Sequence, residues 1–222
     1  MGNLDFATVL GYWQTLLHGL ATSLQLAATC VVIGTPVGFL ITIGRVSRSR
    51  VLRSVTALYV EIVRGTPVLI LLFWVFFCLP PILNVEIDNA ISSILALSVY
   101  MAAVTSETFR GALKSIGADQ HDACAALGLS WRVRVLHVLV PQVLIFSIPT
   151  LLSNVVSLFK ESALVSAVGV VDLMYVGENI SSATAHPIEV LTAVALLYFV
   201  VGFALTRVVS RAERRVRIRF QV

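Results

Sequence analysis

Apolar residues fall along this chain in windows of membrane length, separated by shorter stretches that hold nearly all of the charge. About 20 residues of helix cross a hydrocarbon core. The windows 20–43, 55–79, 90–109, 138–159 and 188–209 therefore predict five transmembrane helices. Ahead of them Leu4, Phe6, Val9, Leu10, Trp13, Leu16 and Leu17 recur at helical spacing, with Asn3, Asp5, Thr8 and Gln14 between. Segment 1–18 thus predicts an interfacial amphipathic helix, anchored by Tyr12 and Trp13. Gly34, Pro36 and Gly38 in the first span predict close packing and a bend. The second is interrupted by Glu61, Arg64, Gly65 and Pro67. Stretch 163–176 is apolar but too short to cross, which predicts a re-entrant or peripheral helix. The expected architecture is all-α and integral to a membrane, with a five-helix domain over 19–209 and a basic tail over 210–222.

Composition agrees and excludes a soluble domain: 58% of the 222 residues are apolar and 13% charged, against about 25% charged in soluble chains. The net charge of +4 matters through its distribution and implies no nucleic acid. Arg45, Arg48, Arg50 and Arg53 follow the first span. Arg110, Lys114, Arg132 and Arg134 surround the central loop, and six arginines lie from Arg207 to Arg219. Loop 80–89, on the other side, carries Glu86 and Asp88 and no basic residue. The positive-inside rule makes the first group, the central loop and the C-terminus cytoplasmic, and five crossings put the N-terminus outside. No Lys or Arg precedes Arg45, so a cleaved signal peptide with a basic leader is not expected. The arginine-rich tail is expected to meet anionic lipid headgroups.

The central loop, 114–137, is the longest polar interval. Ala123, Cys124, Ala125 and Ala126 give a short helix a low-profile face, Gly128 is a natural helix stop, and Ser130 is placed to cap a second short helix. Asp122, Ala123 and Cys124, then Gly128, Val138, Val140 and Pro141, resemble the cytoplasmic coupling loop of ABC-importer permeases. Four more blocks resemble the polar amino acid branch of that family, the histidine, glutamine and arginine type. They are GLATSLQLA (19–27), YVEIVRGTPVLILL (59–72), SETFRGALKSIGADQ (106–120) and KESALVSAVGVVDL (160–173). Asp122 and Cys124 depart from the family's usual Glu and Ala, and Asp119 from a customary Gly. Leu71 stands where Gln is common, and Lys160 to Ala163 replace a frequent Lys-Asp-Thr-Ser.

The resemblance implies a type I permease fold in a prokaryotic inner membrane and a transport role in import of polar amino acids. It implies a second permease subunit, identical or not, two cytoplasmic ATPase subunits and an extracytoplasmic solute-binding protein. It also assigns ATPase coupling to Gln120, Asp122, Ala123, Cys124, Gly128 and Pro141. ATP and Mg would be bound by the ATPase subunits, since this chain has no GxxxxGK[ST] loop and no cofactor is expected in it.

Charges inside spans are costly and mark pathways or pairs. Glu61 and Arg64 share a helix face and have two readings, an ion pair holding spans together or part of a substrate path. The path reading groups Glu61, Arg64, Gly65, Thr66, Glu161 and Ser162, because broken helices free backbone groups where they line a cavity. Lys160 and Glu161 also suit an interfacial anchor, and Glu107 with Arg110 suits a structural pair. A self-contained channel or ion-coupled carrier using Glu61 and Arg64 is the competing function. The three cysteines and the scattered His18, His121, His137 and His186 show no metal-ligand spacing, and no nucleophile–base constellation suggests an enzyme.

Overall fold

A computed structural model describes residues 6–220, without the side chains of 7, 121, 212, 213 and 215–220. Residues 1–5 of the expected amphipathic segment, His121 and arginines 215, 217 and 219, expected to meet lipid headgroups, therefore lie outside the described side chains. After a short α1 (Ala7–Gly11), α2 (Trp13–Arg45) runs without a break through Pro36. Trp13 to Leu17, expected to form a separate interfacial element, continue into the first span. At 1.5 Å per residue, α2 is about 50 Å long and outreaches a core of about 30 Å. Its extra turns are held by protein: Leu16 and Leu20 are buried against Ile180, Val190 and Val194.

The densest packing joins α2 to α6 (Asn89–Ser115). A Cβ on Gly34 would sit 2.7 Å from Met101 Cβ, and one on Gly38 would sit 2.0 Å from Thr105 Oγ1 and 2.6 Å from the Ala102 carbonyl oxygen. Glycine at this four-residue spacing lets the two backbones meet, the usual solution where lipid removes any hydrophobic drive. Within α2 Thr42 Oγ1 donates to the Gly38 carbonyl at 2.8 Å, and across the contact it lies 3.1 Å from the Ser106 carbonyl.

The second window is broken outright. α3 (Arg50–Gly65) ends where Pro67 forces Thr66 into extended backbone (φ −96°, ψ 133°), as the ring disfavours helical geometry in the residue before it. The chain restarts as α4 (Val68–Phe73), a π-helical turn (Trp74–Cys78) and α5 (Leu79–Leu83), bent 109° from α3. Pro80 and Pro81 cannot donate to the carbonyls four residues back, which fall in that wider π turn. The same pairing recurs at Arg134–Leu139, a π turn ahead of Pro141.

α7 (Ala118–Ala126) and α8 (Trp131–Val133) fill the central loop, and α9 (Val140–Glu161) is the fourth span. The stretch expected to be re-entrant or peripheral resolves into a 3₁₀ helix (Ser162–Val168), a left-handed Gly169 at φ 80° and α10 (Leu173–Thr184). α10 is fixed by a buried carboxylate: Asp172 Oδ1 accepts from Tyr175 N at 2.9 Å and Oδ2 from Tyr198 Oη at 3.1 Å. Ser23 Oγ accepts from Leu173 N at 3.1 Å, and Gly19 leaves no room for a Cβ, 2.9 Å from Leu173 Cα. Asp172 thus ties α2, α10 and α11 (Pro187–Phe220), and α11 carries the basic tail on as helix. Among the described residues four helices are long and apolar enough to cross a membrane, five with the bent pair counted as one span.

Candidate transport path and coupling surface

Of the coupling candidates Gln120, Asp122, Ala123 and Cys124 sit on α7, Gly128 just past its end and Pro141 in the first turn of α9. The C-terminus of α7 closes with two bonds, Gly128 N to the Ala125 carbonyl at 3.0 Å and Leu129 N to the Cys124 carbonyl at 3.1 Å. This Schellman arrangement needs a left-handed residue, and Gly128 supplies it at φ 62°. Ser130 Oγ then accepts from Val133 N. Gln120, Asp122, Ala123, Gly128 and Pro141 are exposed. Cys124 corrects the expectation: it is 4% exposed and faces the permease, because a nine-residue helix resting on the bundle must turn one side inward. Gln120 lies 3.4 Å from Gln142 at the start of α9. Beside Gly128, Leu127 and Trp131 are 75% and 62% exposed. The sequence reading passed over both, although large apolar residues flanking a helix stop were its available signal.

The charged residues of the broken span are arranged differently from expectation. Glu61 is exposed and makes no ion pair with Arg64 among the described residues. Arg64, in the last turn of α3, points at α6, where its Nη1 stands 4.0 Å from Glu107 Oε2. Glu107 is the hub. It accepts from Arg110 Nε at 2.9 Å and from Arg110 Nη2, one turn on, and from Arg45 Nη1 at the end of α2. Three cations thus surround one carboxylate, and Arg64 is the outermost. Which residue meets Arg64 depends on how α3 crosses α6, and helical spacing within α3 carries no information about that.

Beside this hub α3, α6 and α9 border an open cavity of about 310 Å³, lined by Arg64, Glu107, Thr108, Gly111, Thr150 and Asn154 among others. Asn154 Nδ2 donates to Thr108 Oγ1 at 2.9 Å across it. Of the six residues expected on the path, Arg64 alone lines this cavity. Glu161 is half-buried at the end of α9, and Tyr100 lies within electrostatic reach of both Glu161 and Arg64. Ser162 is fully buried and its hydroxyl donates to the Phe159 carbonyl at 2.8 Å, so it caps a turn and presents nothing to a path. Thr66 Oγ1 is likewise spent on the Ile62 carbonyl. A second cavity of about 510 Å³ lies in the acidic loop, between Phe76, Pro81, Glu86 and Asn89. No cluster of metal-ligating side chains occurs among the described residues.

Membrane-length helices, one span broken beside a polar cavity, and a short exposed helix in the polar loop define an all-helical multi-pass membrane protein. Residues 34–218 match the family of inner membrane components of binding-protein-dependent transport systems, and the chain belongs to that family. It is 30% identical to the arginine transport system permease protein ArtQ of Bacillus subtilis, covering 97% of this chain and 98% of that one. It is 30% identical to the L-cystine transport system permease protein TcyB of the same organism, covering 92% and 87%. The crystal structure of an amino acid ABC transporter with histidines matches with a TM-score of 0.91 at 27% identity, over 96% of this chain and all of the other. The inward-facing MetNI methionine ABC transporter shares the fold, with a TM-score of 0.71 at 24% identity over 97% and 99%. The chain is an ABC-importer permease subunit of the inner membrane.

Proposed function

We propose that this permease carries polar amino acids or close analogues inward, with its N-terminus outside and its C-terminus in the cytoplasm. The amino acid transporters among its relatives support the substrate class, and the basic bias of the first loop, central loop and tail supports the orientation. A second permease subunit, two ATPase subunits that bind ATP and Mg, and an extracytoplasmic solute-binding protein complete the transporter. The observation that carries the reading is α7: a small-residue helix with exposed Asp122 and Ala123, stopped at Gly128, on the basic side of the bundle. A short helix of this kind docks into a partner's groove. Closure of the ATPase pair would draw α7 inward, and the spans would reopen toward the other side. The substrate path runs past Arg64, Tyr100 and Glu161, with Gly65 and Thr66 as the break beside it.

The carrier alternative rested on Glu61 and Arg64 acting together, and Arg64 is instead turned to Glu107. Uptake of labelled histidine, arginine, glutamine and glutamate into vesicles separates the two functions. Import that requires ATP, the ATPase subunits and the binding protein is the expected result. Equal uptake by this chain without ATP would overturn the proposal.

A further inference from the structure

The cavity beside Glu107 has an unbalanced charge. Glu107 is engaged at short range by Arg45 and Arg110, leaving Arg64 at 4.0 Å with most of its guanidinium donors unused and its side chain 47% exposed. A guanidinium offers five N–H donors in a planar fork that fits a carboxylate two-pronged. Besides Glu107, its polar companions on the wall are neutral: Thr108, Thr150 and Asn154. Asn154 spends an N–H on Thr108, and among the described residues no donor reaches its Oδ1. That oxygen is an acceptor suited to an ammonium group. A volume of about 310 Å³ falls at the small end of ligand pockets, about 300–1,000 Å³. Gly111 forms part of the wall, and a Cβ built there meets nothing within 4 Å, so the space beside it is open.

We infer that Arg64, with Thr108 and Asn154, forms a subsite for the solute's carboxylate in the half of the path nearest the basic loops. The guanidinium takes the carboxylate and Asn154 Oδ1 the ammonium, while the 4.0 Å contact with Glu107 keeps Arg64 beside the cavity. The assignment rests on the amino acid reading above and adds to it where the carboxylate sits. Of these residues only Arg64 was a candidate from sequence.

The test uses the complete transporter in inverted vesicles, in a Cys78→Ser background because Cys78 is exposed whereas Cys30 and Cys124 are buried. Gly111→Cys carries a reporter thiol. It is modified with a sulfonate-bearing methanethiosulfonate and with a trimethylammonium-bearing one, with and without whichever amino acid the transporter carries. The net positive charge of Arg45, Arg64 and Arg110 around Glu107 favours the anionic reagent by about tenfold in a half-wet cavity. Arg64→Gln should cut that preference several-fold, Arg45 and Arg110 remaining on Glu107. Arg64→Lys should keep it but lose protection by the amino acid, since a point charge cannot grip a carboxylate two-pronged. The α-decarboxylated amine of the same amino acid should protect in neither. An unchanged reagent preference in Arg64→Gln, or equal protection by the amine, would overturn the subsite. If Arg64→Gln does not assemble, Arg64→Lys with full protection would overturn it as well. If the vesicles import none of the amino acids the substrate class fails, and the reagent preference still decides the subsite's charge.

Discussion

Two glycine-bearing regions of this permease are built to opposite ends. At the α2–α6 contact Gly34 and Gly38 bring two backbones together so closely that any side chain would strike main-chain atoms. At the α3–α4 break Gly65 has nothing within 4 Å of an added Cβ, and the chain turns through 109° beside a polar cavity. The first region holds hydroxyl bonds, methionine and threonine in fixed register. The second holds an incompletely neutralised arginine and open space. An importer needs both: elements that move as one body, and a lined gap whose walls are free to part.

That contrast is broken most severely at Gly38. Gly38→Leu should cost about 3 kcal/mol, the upper end for overpacking, because the Ala102 carbonyl oxygen cannot rotate away. The thermal midpoint of the purified protein in detergent would show it. Asp172→Leu comes next, at about 2 kcal/mol, since it strands the Tyr175 N–H and the Tyr198 hydroxyl. Asp172→Asn should cost less and remove a pH dependence. Burial pushes the Asp172 carboxyl above its ordinary value, so the folded protein holds this proton to higher pH than the unfolded chain does. Its stabilising effect is complete below about pH 3.9, the unfolded value, and is lost as pH rises through the folded one. Thermal midpoints from pH 4 to 7 should therefore fall more steeply for the parent than for Asp172→Asn.

The open region responds less. Glu107→Gln should cost about 1 kcal/mol, because its arginines remain partly solvated. Unequal loss of uptake and of midpoint would separate the gap from the scaffold. Gly65→Ala should change stability by no more than about 0.5 kcal/mol, and a drop comparable to that of Gly38→Leu would erase the distinction between the regions.

What the sequence disclosed divides along the same line. Spans, the break at Pro67 and the stop at Gly128 were legible because each is set within one or two helical turns, by hydropathy, by proline sterics or by a left-handed residue. Gly34 and Gly38 were legible as close packing, although their partner was not. Arg64 was read as sharing a face with Glu61, its neighbour on the helix, because the approach of Glu107 from α6 is a tertiary fact. The burial of Cys124 and Ser162 was not legible, since which side of a short helix is covered depends on what it rests against. The Ser23–Asp172–Tyr198 contacts joined three elements whose residues carry no shared spacing, and Asp172 read only as the mark of a connection.

The central claim is that α7 transmits the ATPase cycle to the spans, and Ala123→Trp measures it most directly. Ala123 is exposed and small on the α7 surface, so an indole there blocks docking without disturbing the bundle. Uptake and ATP hydrolysis are measured together in vesicles holding the full transporter. The account predicts an inserted permease whose hydrolysis no longer drives uptake, or one that no longer retains its ATPase subunits. Coupled uptake at the parent rate would contradict it.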